Sequence, residues 1–273
     1  MPMSQLSVPS CPCLQIYDSD DQSKTPLLIL GSSPSDVRDY DGIKSELERK
    51  FRIIAINWPG FGSSSIENVD FSGGAGFFHQ IVLEVMETLL LPPACFMGVA
   101  VGAYCAARIA IEHPDKVLKL LLVSPTGFTA GGLMAKHFAP LMGGMFAPTP
   151  LNSAKSYLGH KEKPLIQAML ERAATLQSTP GAVAVIRAVW KSLELPECDL
   201  TDRVSAIRAP TMLVFGKNDP IISVAKDGKN ARKAFGDRAE FVVLEARHLP
   251  FAEVPEDFLK SVIAFIGTDE DLL

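Results

Sequence analysis

Short, unbroken apolar runs alternate along this chain with longer stretches whose apolar positions recur every three or four residues. Leu27-Leu28-Ile29-Leu30 is the first clear run, and its continuity is that of a strand buried on both faces of a sheet. It ends at the turn Gly31-Ser32-Ser33-Pro34. Val37 to Lys50 reads as an amphipathic helix with Val37, Ile43 and Leu47 on its inner face. Phe51–Ile56 is the next buried strand, closed by Asn57-Trp58-Pro59-Gly60-Phe61-Gly62-Ser63-Ser64. Helical spacing over Phe77–Leu91 is broken by Pro92-Pro93. A short run, Cys95–Met97, precedes a helix over about 102–112 that stops at His113-Pro114. Val117–Val123 is a further buried strand. Strand and helix in turn predict parallel strands with helical crossovers covering both faces.

The pattern changes at Ser124-Pro125. Residues 126–196 contain no convincing strand; they begin Gly/Met/Ala-rich and carry candidate helices near 163–177 and 181–193. After Pro196 the alternation resumes, with strands at Thr211–Phe215 and Phe241–Leu244 and helices at Val224–Phe235 and Glu256–Ile266. The predicted fold is therefore α/β, a mostly parallel sheet with helices on both faces. Its core spans 14–125 and 197–273, and a helical cap over 126–196 sits above the strand ends. Leu14–Tyr17 is expected to be a short strand. Residues 1–13 hold three prolines and little periodicity, so a flexible tail is expected there.

Composition narrows the function classes. The 273 residues are 47% hydrophobic, enough for a sizeable core, and carry a net charge of −5. With no Lys/Arg-rich patch, a nucleic-acid partner is not expected. The first residues lack the basic and apolar regions of a signal peptide. No run approaches the ~18 apolar residues that cross a bilayer; segment 131–146 comes nearest, interrupted by Lys136 and His137. Five cysteines are an odd number, and Cys11-Pro12-Cys13 is the one close pair. Without a second pair or nearby histidines, neither a zinc site nor a disulfide framework is expected. The reading is a cytoplasmic chain without metal or cofactor; no G-x-G-x-x-G follows the first strand and no Walker sequence occurs.

Candidate chemistry sits where strands end, which is where open α/β sheets hold ligands. Gly98-Val99-Ala100-Val101-Gly102, between a strand and a helix, has the layout of a nucleophile elbow. The turn is so tight that its flanking positions must be small. Its centre, where an attacking oxygen belongs, is alanine. Asp219 follows the strand Thr211–Phe215 by a short turn, and His248 lies in the loop after the last strand. The order nucleophile, acid, histidine is that of the α/β-hydrolases. His248 would act as general base, and Asp219 would hold its tautomer and stabilise its charged form.

From about residue 14 to its C-terminus the chain resembles the α/β-hydrolase superfamily, in its capped branch. Four features carry the resemblance: Gly98–Gly102, the turn Pro59-Gly60-Phe61-Gly62-Ser63, Asp219 after its strand, and His248 followed by Pro250, Glu253 and Pro255. The resemblance implies an oxyanion hole built from the backbone N–H groups of Ser32 and Val101. It also implies hydrolysis of a carboxylic ester, or of a related acyl or C–C bond, in a small apolar substrate. Family members usually carry His-Gly where this chain has Leu30-Gly31, Asp where it has Asn57, and Gly where it has Arg247.

Ala100 departs in kind, because a methyl group cannot attack a carbonyl. Loss of a triad serine typically lowers kcat by about 10⁶, so the protein as written is expected to be nearly inactive. Two origins fit: a serine deliberately replaced, or natural loss of catalysis with the pocket kept to bind a small molecule or a protein partner. The strained elbow, retained with both glycines, favours the first; Leu30, Asn57 and Arg247 favour the second. A third reading uses the His248–Asp219 base alone, for proton abstraction. Cys105, over one turn beyond Ala100, should point into the core. Ser32, Ser33 and Ser124 lie at strand ends facing the pocket, with turn or capping roles as their ordinary use. His79, His113, His137 and His160 read as structural or surface residues. Phe128, Met134, Phe138, Met142, Met145 and Phe146 either line an apolar pocket for a carbonyl-containing ligand or pack the cap.

Overall fold

In the computed structural model, which describes residues 3–128, 144, 147–193 and 195–267, the apolar runs form one sheet. Its strands are β1 Met3–Val8, β2 Cys11–Asp18, β3 Pro26–Leu30, β4 Arg52–Ile56, β5 Ala94–Val99, β6 Val117–Val123, β7 Thr211–Gly216 and β8 Ala239–Leu244. Their order is β1-β2-β4-β3-β5-β6-β7-β8. The ladders from β4 through β8 are parallel, with Leu28 opposite Ile54 and Phe96, and Leu122 opposite Gly98 and Leu213.

Alternate side chains leave the sheet on opposite faces. Leu28, Leu30, Ile54, Ile56 and Phe96 pack against the helices α2 Ala75–Thr88, α3 Val101–Glu112 and α7 Lys229–Phe235. Leu27, Ile29, Ile53, Cys95 and Met97 pack on the other side, with α1 Lys44–Glu48, the short α8 Pro250–Glu253 and α9 Pro255–Ile266. Both faces are covered, which explains why the strands from β3 to β7 are predominantly apolar, with Lys119 the one charged residue away from a strand end. All five cysteines are free thiols.

Residues 3–13 do not form the flexible tail expected over 1–13. From Met3 onward they build an antiparallel hairpin with Val8 opposite Cys11, and β2 continues antiparallel to β4 with Ile16 opposite Ile56. Val8, Cys11 and Leu14 are buried in the core. The prolines fit this because Pro9 falls in the turn and Pro12 at a shift in register, where no regular ladder bond is lost. The single helix expected over Val37–Lys50 is two pieces, a 3₁₀ turn at Val37–Tyr40 and α1, although Val37, Ile43 and Leu47 all face inward. Asp36 and Asp39 close that first turn as a reciprocal cap.

Between β6 and β7 the described residues hold α4 Pro150–Tyr157, α5 Pro164–Leu176 and α6 Pro180–Ser192 and no strand. Each begins with proline, whose missing N–H is no loss in a first turn. These helices are tied to the core at discrete points. Arg172 of α5 donates to Asp39 at 2.6 Å, and Ser192 of α6 accepts the Ala75 N–H at 2.8 Å.

Candidate functional site

Ala100 stands between β5 and α3 with φ 50° and ψ −113°, a conformation that a residue with a Cβ adopts only under strain. The turn is held from several sides. The Ala100 N–H donates to the Val123 carbonyl at 3.0 Å, and its own carbonyl accepts from the Thr126 hydroxyl at 3.1 Å. The flanking glycines are sterically required. A Cβ on Gly98 would come within 2.5 Å of Ala103 Cα, and one on Gly102 within 2.1 Å of the Leu30 carbonyl oxygen.

His248 and Asp219 come together from different elements. Nδ1 of His248 lies 2.7 Å from Oδ2 of Asp219, and both residues are buried. The other carboxylate oxygen of Asp219 accepts the N–H groups of Ile221 and Ile222 at 2.8 and 3.0 Å. Burial pushes the Asp219 carboxyl up, but the His248 ring and these two N–H groups outweigh it and hold it below the ordinary carboxylate range. The acid turn is packed onto the histidine loop: Gly216 lies so close to Arg247 that a Cβ would overlap its carbonyl, and Asn218 N–H donates to the Ala246 carbonyl at 2.9 Å.

The histidine loop has its own cradle in Glu253, which is fully buried. Its carboxylate accepts three backbone N–H groups: Arg247 at 3.0 Å and Leu249 at 3.1 Å on either side of His248, and Gly159 of the cap at 3.0 Å. Tyr157, at the end of α4, accepts the His248 N–H at 3.2 Å and sets its ring edge-on to the imidazole at 5.6 Å.

Ala100, Val101, Ser32 and His248 line one cavity of about 680 Å³; Asp219 lies behind His248. The helices between β6 and β7 add to its lining, with Tyr157 from α4 and Val183, Arg187 and Trp190 from α6. Sequence reasoning missed these cap residues, although the spacing of 183, 187 and 190 on a predicted helix marks a single stripe. Among the described residues no group of three His, Cys, Asp or Glu side chains is placed to hold a metal ion, and no helix is long and apolar enough to cross a membrane.

The remaining candidates separate clearly. Cys105 is buried with its thiol facing the Ala75 carbonyl, and burial pushes its pKa up; it does not line the cavity. The Ser124 hydroxyl donates to the His248 carbonyl at 3.0 Å and that of Ser32 to the Pro34 carbonyl at 2.9 Å. Phe128 packs edge-on to Phe235 in the core. Met134, Phe138, Met142, Met145, Phe146 and His137 lie outside the described residues. Asn57, where an acid is usual, is buried and uses both ends of its amide, accepting from Val37 N–H at 2.9 Å and donating to Gln15 at 2.8 Å.

The fold and this site define a class, and the family comparison agrees. The chain belongs to the α/β-hydrolase fold family, whose model matches residues 25–255. Among characterised proteins it is similar to 2-hydroxy-6-oxo-6-phenylhexa-2,4-dienoate hydrolase of Comamonas testosteroni, at 24% identity over 83% of this chain and 81% of that one. It is likewise similar to the pimeloyl-[acyl-carrier protein] methyl ester esterase of Vibrio vulnificus, at 23% identity over 84% of this chain and 89% of that enzyme. A hydrolase from Pseudomonas aeruginosa shares the fold, with a TM-score of 0.80 and 20% identity over 98% of this chain and 99% of the other.

Proposed function

We propose that the cavity is the acyl-binding site of a serine-hydrolase framework in which His248 and Asp219 are base and orienting acid and the nucleophile position is Ala100. The observation that carries this reading is the buried His248–Asp219 pair on a cavity whose wall includes the strained elbow. With alanine at the centre the protein binds a small carbonyl-containing ligand and turns it over at most residually. The backbone N–H groups of Ser32 and Val101 are the donors for a ligand oxygen. Val101 is the first residue of α3, so its N–H has no intrahelical acceptor.

Restoring the oxygen tests this. Ala100→Ser is expected to be labelled by a fluorophosphonate and to hydrolyse short aryl esters. A folded Ala100→Ser protein that does neither overturns the reading. The same site also supports a purely ligand-binding role. The elbow keeps its conformation through bonds to the Ala100 backbone from Val123 and Thr126, with no bond from the side chain at position 100, which is buried. That role predicts a small molecule retained through purification from the native source and detectable by mass spectrometry.

A further inference from the structure

Two polar groups on the cavity wall have no partner. Nε of Arg187, on α6, and Oγ of Ser33, in the turn after β3, are buried and make no hydrogen bond among the described residues, and both residues line the cavity shared by Ala100 and His248. They come from different parts of the chain: Ser33 from the turn that follows β3, Arg187 from a helix between β6 and β7.

Arg187 is the more informative of the two. Its neighbours in the lining along α6, Val183, Ile186 and Trp190, are largely apolar. Among the described residues no Asp or Glu lines the cavity. A guanidinium is a permanent cation with a planar fork of donors, and it is normally paired when it leaves bulk water. Arg187 is half-buried with its Nε shut off from solvent, and a cation set in this largely apolar wall with no counter-ion among the described residues favours an anion in the cavity. A carboxylate matches the fork in shape and carries a single charge. Phosphate groups are usually held by clusters of cations, and the described lining contains one permanent cation.

We propose that Arg187 forms a carboxylate subsite, so that the cavity takes acids bearing a second, ester-like carbonyl and prefers them to neutral esters. The carboxylate pairs with Arg187 under the cap, the apolar body spans the cavity, and the carbonyl reaches the elbow, where Ser33 offers its hydroxyl. This rests on the acyl-site reading above and narrows its ligand from apolar esters to half-esters and related acyl acids.

Calorimetric titration of the protein with monomethyl suberate and with dimethyl suberate tests it directly, since the two probes differ in one charged end. The half-ester is expected to bind about 10- to 100-fold more tightly, the range of a charge-assisted hydrogen-bonded pair. Arg187→Gln should remove that preference, and Arg187→Lys, which keeps the charge without the fork, should retain a reduced one; the unfolding transition of each variant establishes that it is folded. Equal affinities for the two probes, or a preference that survives in Arg187→Gln, overturns the carboxylate subsite while leaving the acyl site standing. Failure of both probes to bind the protein and its Ala100→Ser form overturns the acyl site and the subsite with it.

Discussion

Nδ1 of His248 and Oδ2 of Asp219 are 2.7 Å apart, and the second oxygen of that carboxylate is already taken by two backbone N–H groups. The acid therefore has no freedom to turn away. The arrangement leaves Nδ1 as the donor and Nε2 as the free base.

In the Ala100→Ser background, Asp219→Asn should lower kcat by about 10⁴, the scale seen when a triad acid is neutralised and the histidine tautomer is lost. The carboxyl of Asp219 is held below its ordinary value of 3.8. Its stabilising contribution is thus complete above that pH and is lost as pH falls through the lower, folded value. Urea titrations should show the stability deficit of Asp219→Asn at neutral pH shrinking as the pH drops below 3.8. A deficit independent of pH would count against an ionised acid here.

Gly102→Ala should be among the most damaging single substitutions, since its Cβ would sit 2.1 Å from backbone at Leu30 and 2.7 Å from the Gly31 carbonyl. Neither neighbour can swing aside, and a loss of about 3 kcal/mol or more in unfolding free energy is expected. Gly76→Ala is the control. It lies in α2 with nothing nearer than 3.8 Å, and should gain about 0.5–1 kcal/mol.

Glu253→Ala leaves three N–H groups without their acceptor, two of them flanking His248. Stability should fall by about 3 kcal/mol. In the Ala100→Ser background kcat should fall more than KM rises, because the substitution loosens the base and leaves the cavity wall in place. Glu253→Gln should be milder in both respects.

Asp39 is fully buried against Arg172, with Asp36 and Arg38 beside it. Burial outweighs the guanidinium and pushes its carboxyl up to about 6. Between its ordinary 3.8 and about 6 the folded state holds a proton that the unfolded state has released, so stability falls as pH rises through that window and levels off above it. Denaturation midpoints measured across the window should show this slope in the native chain and a flatter one in Asp39→Asn.

Much of the architecture was legible because the central strands are buried on both faces and so appear as nearly continuous apolar runs; Val117–Val123, interrupted only by Lys119, matches β6 at both ends. The hairpin at Met3–Asp18 was not, because β1 is a half-exposed edge strand, β2 is only partly buried, and prolines at a turn and a bulge look the same as prolines in a tail. Positions 100, 219 and 248 could be singled out because each follows a strand, where local sequence determines what lies at the sheet's rim. Arg187 was not singled out at all, and Glu253 only as part of the family pattern, without its role. Their importance depends on how the cap sits over the sheet and on which N–H groups the histidine loop turns inward, and neither is written in local periodicity.

The elbow's backbone has a consequence beyond chemistry. Its pose is set by Gly98, Gly102 and bonds to Val123 and Thr126, and alanine and serine bear the same φ penalty there. Folding is thus indifferent to which of the two occupies position 100. Every alanine codon is one base away from a serine codon. A gene for this fold can therefore cross between the alanine and the serine form in either direction by a single point change.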